Sequence, residues 1–320
     1  MKAKLINRER VEGKVYDHNL AVKTVQNTES KNYGKEFING TLDIATDDAG
    51  LNVVTIHFTY VTAETSKGNE NKTFFVLKNI IDSNKTVLSV GLENAMMVKV
   101  DTALGLNDFY TNRNGSEELV SAKRNDGGFV SIVNRLDKES ERNKFECDML
   151  INGTRLVEAD EEKHIDKDYL IVKGAVFNFR NAILPVEFIV KDAGGIKYFE
   201  SFDASPSNMV FTKVWGTIES QTVIDRREEE SAFGEAAVRE YERKIREWVI
   251  TGTAKEPYEF GDEQDGITAE EVKKMLADRE IYLADIKKKA DDWQAQKAAA
   301  KSAPNITTPG ISAAAGAFNF

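Results

Sequence analysis

Apolar and polar positions alternate through the first 135 residues, and the alternation predicts strands. It is clearest at residues 53–60, where Val54, Ile56, Phe58 and Tyr60 face one way and Val53, Thr55, His57 and Thr59 the other. Before it, Val11–Tyr16 and Asn19–Val25 read as two parts of a strand bent at Asp17–His18. Phe37–Ile44 is a second strand, ended by the turn signal Asp47-Asp48-Ala49-Gly50. A polar stretch from Glu64 to Lys72 reads as a loop. The short apolar run Phe74–Ile81 suits one helix, although its periodicity leaves a strand open. Met97–Thr111 alternates again and bends at Gly105, and Asn112–Gly115 is a hairpin-type turn.

Residues 144–224 repeat the theme. Lys144–Ile151 predicts a strand, Tyr169–Arg180 a strand bent at Gly174, and Leu184–Val190 its partner. Asp192–Gly195 reads as a turn, with Lys197–Phe202 and Val210–Ile218 as the closing strands. In the first 135 residues the order strand, strand, strand, helix, strand, strand is that of an OB-fold barrel, and the second half repeats it less cleanly. Composition changes at Asp225. From there to Gly252 the chain is rich in Glu, Arg and Ala, and Phe233, Val238, Tyr241, Ile245 and Trp248 recur every three to five residues, predicting an amphipathic helix. After a linker with Pro257 and Gly261, Thr268-Ala269-Glu270-Glu271 is a capping box. It opens a second helix that carries Val272, Leu276, Leu283, Ile286 and Trp293 to about Ala300. The predicted fold class is therefore mainly β with C-terminal helices: two OB-like β-barrels (1–135 and 136–225), a helical hairpin (226–300) and a disordered low-complexity tail (301–320).

Composition narrows the chemistry. Cys147 is the single cysteine, so neither an intramolecular disulfide nor a thiolate zinc cluster can form, and His18, His57 and His164 lack metal-ligand spacing. No phosphate-cradling loop, G-x-S-x-G or H-E-x-x-H occurs. Asp47-Asp48 fits a turn, and Asp166 with Asp168 a solvated charge run. The expectation is a non-enzyme without cofactor or metal. No apolar run approaches the roughly 20 residues of a membrane helix, and the polar start lacks a signal-peptide stretch; a cytoplasmic protein is expected, in the host cytoplasm if phage-encoded. Net charge is −10, which at first opposes a nucleic-acid partner. The charge is unevenly spread, however. Lys plus Arg against Asp plus Glu is 17 to 17 in residues 1–135, 11 to 17 in 136–225 and 15 to 19 in 226–320, which makes the first third the better candidate for phosphates.

Single strands are held by cations along a groove and by flat rings on which bases stack. The residues that match are Tyr60 on the third strand, Lys72 beside the loop, Phe109, Tyr110 and Arg113 where the bent strand re-emerges, and Lys123 and Arg124 on the following arm. Phe177, Phe179 and Arg180 hold the corresponding place in the second half, where Trp215 reads alternatively as core. The segment Met97–Gly115, an apolar strand, a Gly, an aromatic strand and an Asn-Gly turn, resembles the fourth-to-fifth-strand hairpin of bacterial and phage single-stranded DNA-binding proteins. The layout, an OB-fold first and a low-complexity tail ending in Phe, is similar too. The resemblance implies a protein that coats single-stranded DNA in replication, recombination or repair. It also implies recruitment of replication or recombination proteins through a tail ending in Phe318 and Phe320. Two departures stand out: no acidic residue follows Asp292, and the second barrel and helical hairpin are additions that suit a divergent phage-type form. The rival reading is a structural or scaffold protein of phage assembly, with barrels making protein contacts and helices forming a homo-oligomer.

Overall fold

The computed structural model describes residues 5–113, 116–160, 165–229, 237–261 and 267–302. The predicted tail, with Phe318 and Phe320, lies outside the described residues. The chain is mainly β with a few helices. In the first half, β1 (Asn7–His18), β2 (Ala21–Thr24), β3 (Glu36–Ala45) and β4 (Val53–Thr62) precede helices α1 (Lys72–Ser83) and α2 (Val87–Val90), and β5 (Met97–Arg113) and β6 (Ser116–Ile132) follow. The second half runs β7 (Asn143–Val157), β8 (Tyr169–Phe177), β9 (Ile183–Val190), helix α3 (Ala193–Glu200), β10 (Val210–Glu229) and β11 (Ala237–Thr253), and helix α4 (Ala269–Ser302) ends it.

Strand pairing closes on itself twice. β1 is antiparallel to β3 and β5, β3 is antiparallel to β4, β4 is parallel to β6, and β6 neighbours β5. In the second circuit β7 is antiparallel to β8 and β10, β8 to β9 and β10 to β11, while β9 and β11 meet in parallel at Ile189 and Val249. The two circuits join where β1 pairs with β7, from Asn7 opposite Cys147 to Val11 opposite Asn143. A tight spot in β8 explains one predicted bend: a Cβ on Gly174 would lie 2.2 Å from the Leu150 carbonyl oxygen of β7, so only glycine fits.

The alternation read from the sequence sets the core. Val54, Ile56 and Phe58 of β4 are buried, with Ile38, Leu42 and Ile44 of β3 facing them; Tyr60, predicted to share their side, leaves the core and is exposed. Helix α1 buries Phe74, Leu77 and Ile80, one stripe at helical spacing, against this cluster. The same cluster continues into the second circuit through Phe145, Met149, Val172, Phe188, Val214 and Trp248. A smaller one places Phe177 and Phe211 against Ile267 and Val272, at the start of α4.

Met1–Asn107 and Ser121–Arg279 form one compact unit, and Asp108–Val120 with Glu280–Phe320 form a second.

Two predicted elements are different. The helix expected over 225–252 is not formed among the described residues: Ala237–Thr253 is a strand that pairs antiparallel with β10, so the described residues hold no helical hairpin. Its last part, Trp248-Val249-Ile250-Thr251, is aromatic and β-branched, and a partner strand satisfies its backbone, which outweighs a spacing that also fits a helix. Lys197–Phe202, expected as a strand, lies largely in α3, whose N-cap is Asp192; its carboxylate accepts the Gly195 N–H at 2.8 Å, so the expected turn is a helix start. The capping box at Thr268 and Glu271 forms as predicted, with both reciprocal hydrogen bonds, and opens α4.

Candidate nucleic-acid interface

At the first circuit, Tyr60 stands near the end of β4, 46% exposed. Its ring is tilted against Phe37 with centroids 4.7 Å apart, and its hydroxyl accepts from Asn32 Nδ2 at 3.2 Å, so the side chain is braced while one face stays in solvent. Tyr33, unremarked in the sequence, is exposed in the loop before β3. Asn71 ties the start of α1 to this end of β4 by donating to the Thr62 carbonyl at 2.8 Å, which brings the exposed Lys72 to the same end.

The outer face of β4 and β6 carries charge that is internally committed. Arg124 forms an ion pair with Asp126 at 2.6 Å. From β11, Arg246 donates to the Thr55 hydroxyl at 2.7 Å, and that hydroxyl donates in turn to Asp43. His57 lies opposite Asp126, and burial, with the two guanidinium groups, holds its pKa below the usual imidazole value. The imidazole is therefore neutral at physiological pH. Burial also pushes the Asp126 carboxyl up.

Lys123 is not a free cation. Its ammonium donates to the Glu187 carbonyl of β9 at 2.8 Å and lies 4.8 Å from the Trp248 ring centroid, and burial lowers its pKa. Beneath it the Trp248 indole donates to Glu9 at 2.9 Å, and burial pushes the Glu9 carboxyl up to about 8. Lys123 fastens the first circuit to the second and is not available to a phosphate.

At the second circuit the two candidate phenylalanines separate. Phe177 is fully buried, edge-on to Phe211 with centroids 6.1 Å apart, and so cannot stack a base. Phe179 is 74% exposed in the turn after β8, with the Arg180 guanidinium 5.1 Å from its ring. Asn178 shapes this turn: its side-chain oxygen accepts the Arg180 and Ala182 N–H groups, both at 2.9 Å.

In the smaller unit, Phe109 is 39% exposed and Tyr110 half-buried, on opposite faces of β5. Lys287 of α4 lies 5.1 Å from the Tyr110 ring and pairs with Glu117. The Arg113 side chain lies outside the described residues.

Phe129 on β6, which the sequence reading did not single out, is 77% exposed, and Trp215 on β10, read as either site or core, is 41% exposed. The signal for Phe129 was its place beside the buried Val130, which turns it outward. A cleft of about 320 Å³ lies between the β3–β4 turn, residues 139–143 and β10, but Asp47, Glu139 and Glu219 line it, a poor match to phosphate. Among the described residues no three His, Cys, Asp or Glu side chains converge on a metal position, and no helix is long and apolar enough to cross a membrane. Cys147 is buried and its thiol is pushed well up, chiefly by that burial.

Comparison with curated proteins finds no match. Among solved structures, the chain is similar to the wild-type single-stranded DNA binding protein from Thermus aquaticus, at 12% identity and a TM-score of 0.44, over 82% of this chain and 98% of that one. It is also similar to a deletion mutant of the Thermus protein, at 11% identity and a TM-score of 0.43, over 82% and 99% of the two chains. A family model described as YorF matches residues 7–289, every strand and most of α4, and the chain belongs to the YorF family.

Proposed function

We propose that the protein binds single-stranded DNA with little sequence preference, and that each strand circuit is an OB-fold barrel. The pairing order supports the barrel reading: three antiparallel strands, a helix, and two more strands, with the third parallel to the fifth, twice in succession. The observation that carries the binding reading is the tip at Phe179 and Arg180. There a solvent-facing ring and a guanidinium are held together by the Asn178 turn, the ring-and-cation pair on which an unpaired base stacks and its phosphate is neutralised. Tyr60, braced on Phe37 beside Lys72, offers a second platform, and Phe109 a third. Coating of single strands in replication, recombination or repair in the cytoplasm, recruitment through the tail, and a phage-type origin belong to the same proposal.

The test is titration of the full chain with an oligothymidine, followed by intrinsic fluorescence at two salt concentrations. Binding that weakens with salt is expected; no binding at low salt, or binding indifferent to salt, rejects the proposal. A protein-contact role is the second reading, favoured by the apolar side chains that α4 exposes, Ile281 at 68% and Trp293 at 60%. It predicts a stable oligomer with no preference for single strands over duplex.

A further inference from the structure

The face that crosses the β1–β7 seam carries a pattern that neither circuit explains alone. Val100, Glu9, Val11, Phe145, Val214 and Val130 point inward, so by the period of two their neighbours point out: Asp101 on β5, Arg8 and Arg10 on β1, Lys144 and Glu146 on β7, Trp215 on β10 and Phe129 on β6. Register sets them in rows. Arg10 stands between Asp101 and Lys144, and Glu146 between Arg8 and Trp215.

Like charges directly opposite each other on neighbouring strands destabilise a sheet, yet Arg10 faces Lys144 across the seam. The carboxylate at Arg10 is Asp101, at 3.7 Å, while Lys144 has no acidic partner among the described residues. Arg8 and Lys213 both draw on Glu146, at 2.9 Å and 3.4 Å. The flanking rows are balanced: Lys213 lies opposite the buried Asp148, and Lys99 is held between Glu12 and Asp137. An excess of positive charge thus sits on the seam of a chain whose net charge is −10.

Exposed rings flank it. Trp215 lies against Gly252 of β11, where a Cβ would come within 2.3 Å of the indole nitrogen, and its side chain is 41% exposed. On the other side Phe129 follows Gly128, whose Cβ position closes to 2.7 Å from the Asp101 carbonyl, and has no ring partner among the described residues. Phe129 and Trp215 are four strand steps apart, about 19 Å.

We infer that this seam face is itself a single-strand binding track, with Phe129 and Trp215 stacking bases and Arg8, Arg10 and Lys144 taking phosphates. The seam then joins the two circuits' ring-and-cation groups, so that both circuits hold one strand on a continuous surface. The inference rests on the single-stranded DNA reading above.

The test compares the full-length chain with R10Q/K144Q and with Phe129→Ala in oligothymidine titrations at several salt concentrations. The charge variant is expected to bind about tenfold more weakly at low salt, and its log–log salt slope to shrink by about 1.4, two single-strand phosphate contacts. Phe129→Ala should lose about 5-fold or more, with unchanged melting because the side chain is exposed. Bound oligothymidine should also protect Lys144 from acetylation. Trp215→Ala is less clean, since it uncovers Gly252, and the other two variants do not depend on it. If the wild-type chain binds and both variants bind with its affinity and salt slope, or Lys144 is acetylated equally with and without ligand, the seam inference is overturned while the general function stands. If the wild-type chain does not bind at low salt, the function itself falls, and the seam with it.

Discussion

The two circuits are built to one pairing order but spend their charged and aromatic side chains in opposite ways. In the first, the adjacent cations Lys123 and Arg124 on β6 are both consumed internally, one by the Glu187 carbonyl and the Trp248 ring, the other by Asp126. In the second, Phe179 and Arg180 stand at a solvent-facing tip with only each other for company in the ring contact. A basic residue on a strand is therefore not a binding group by type. What matters is whether its partner is already inside the molecule: Lys123 and Trp248 fasten the two circuits, whereas the Phe179–Arg180 tip faces solvent.

The sharpest way to break this comparison is Trp248→Ala. Trp248 is 2% exposed, hydrogen-bonded to Glu9 and roofed by Lys123, so its loss should cost about 3–5 kcal/mol in denaturant unfolding. A loss under about 1 kcal/mol would mean that the circuits are not fastened there. The pH dependence comes next. Glu9 titrates near 8 when folded and near 4.5 when unfolded, chiefly because it is buried. Between these values unfolding releases a proton, so stability falls as pH rises, by about 1.4 kcal/mol per pH unit, and levels off above about 8. Glu9→Gln should flatten that slope, as measured by urea midpoints from pH 5 to pH 8. The smallest effect separates ligand from fastening. Phe179→Ala should weaken oligothymidine binding by about 1–3 kcal/mol with unchanged melting, whereas Lys123→Met should change binding little and alter the melting temperature instead. If Lys123→Met abolished binding without touching stability, the contrast between the circuits would collapse.

Much of the first circuit was legible because β4 and β5 alternate cleanly and the polar run 64–72 separates them from an amphipathic α1. The β11 segment was not. Val238, Tyr241, Ile245 and Trp248 fall at spacings compatible with a helix, and only their partners on β10, 10 to 30 residues back in the chain, decide for a strand. Glycines at 194 and 195 suggested a turn at α3, where the Asp192 cap starts a helix. Site residues divide on the same ground. Phe179 and Tyr60 lie where local pattern and chain reversal turn them out. Lys123 turns inward to partners, Glu187 and Trp248, that are distant in sequence, and Phe177 is the last core position of β8, two residues before the exposed Phe179. Trp215 reads from the sequence as either core or surface; its contact with Gly252 is a cross-strand fact that no local window contains.

Residues 7–11 of β1 are bracketed by β5 on one flank and β7 on the other. During synthesis the first circuit has all its strands once Ile132 has left the ribosome, but this flank finds its second neighbour only when Asn143–Cys147 emerges. Until then the nascent chain presents an unpaired edge next to Glu9, so a pause in translation between these points would favour association between neighbouring chains.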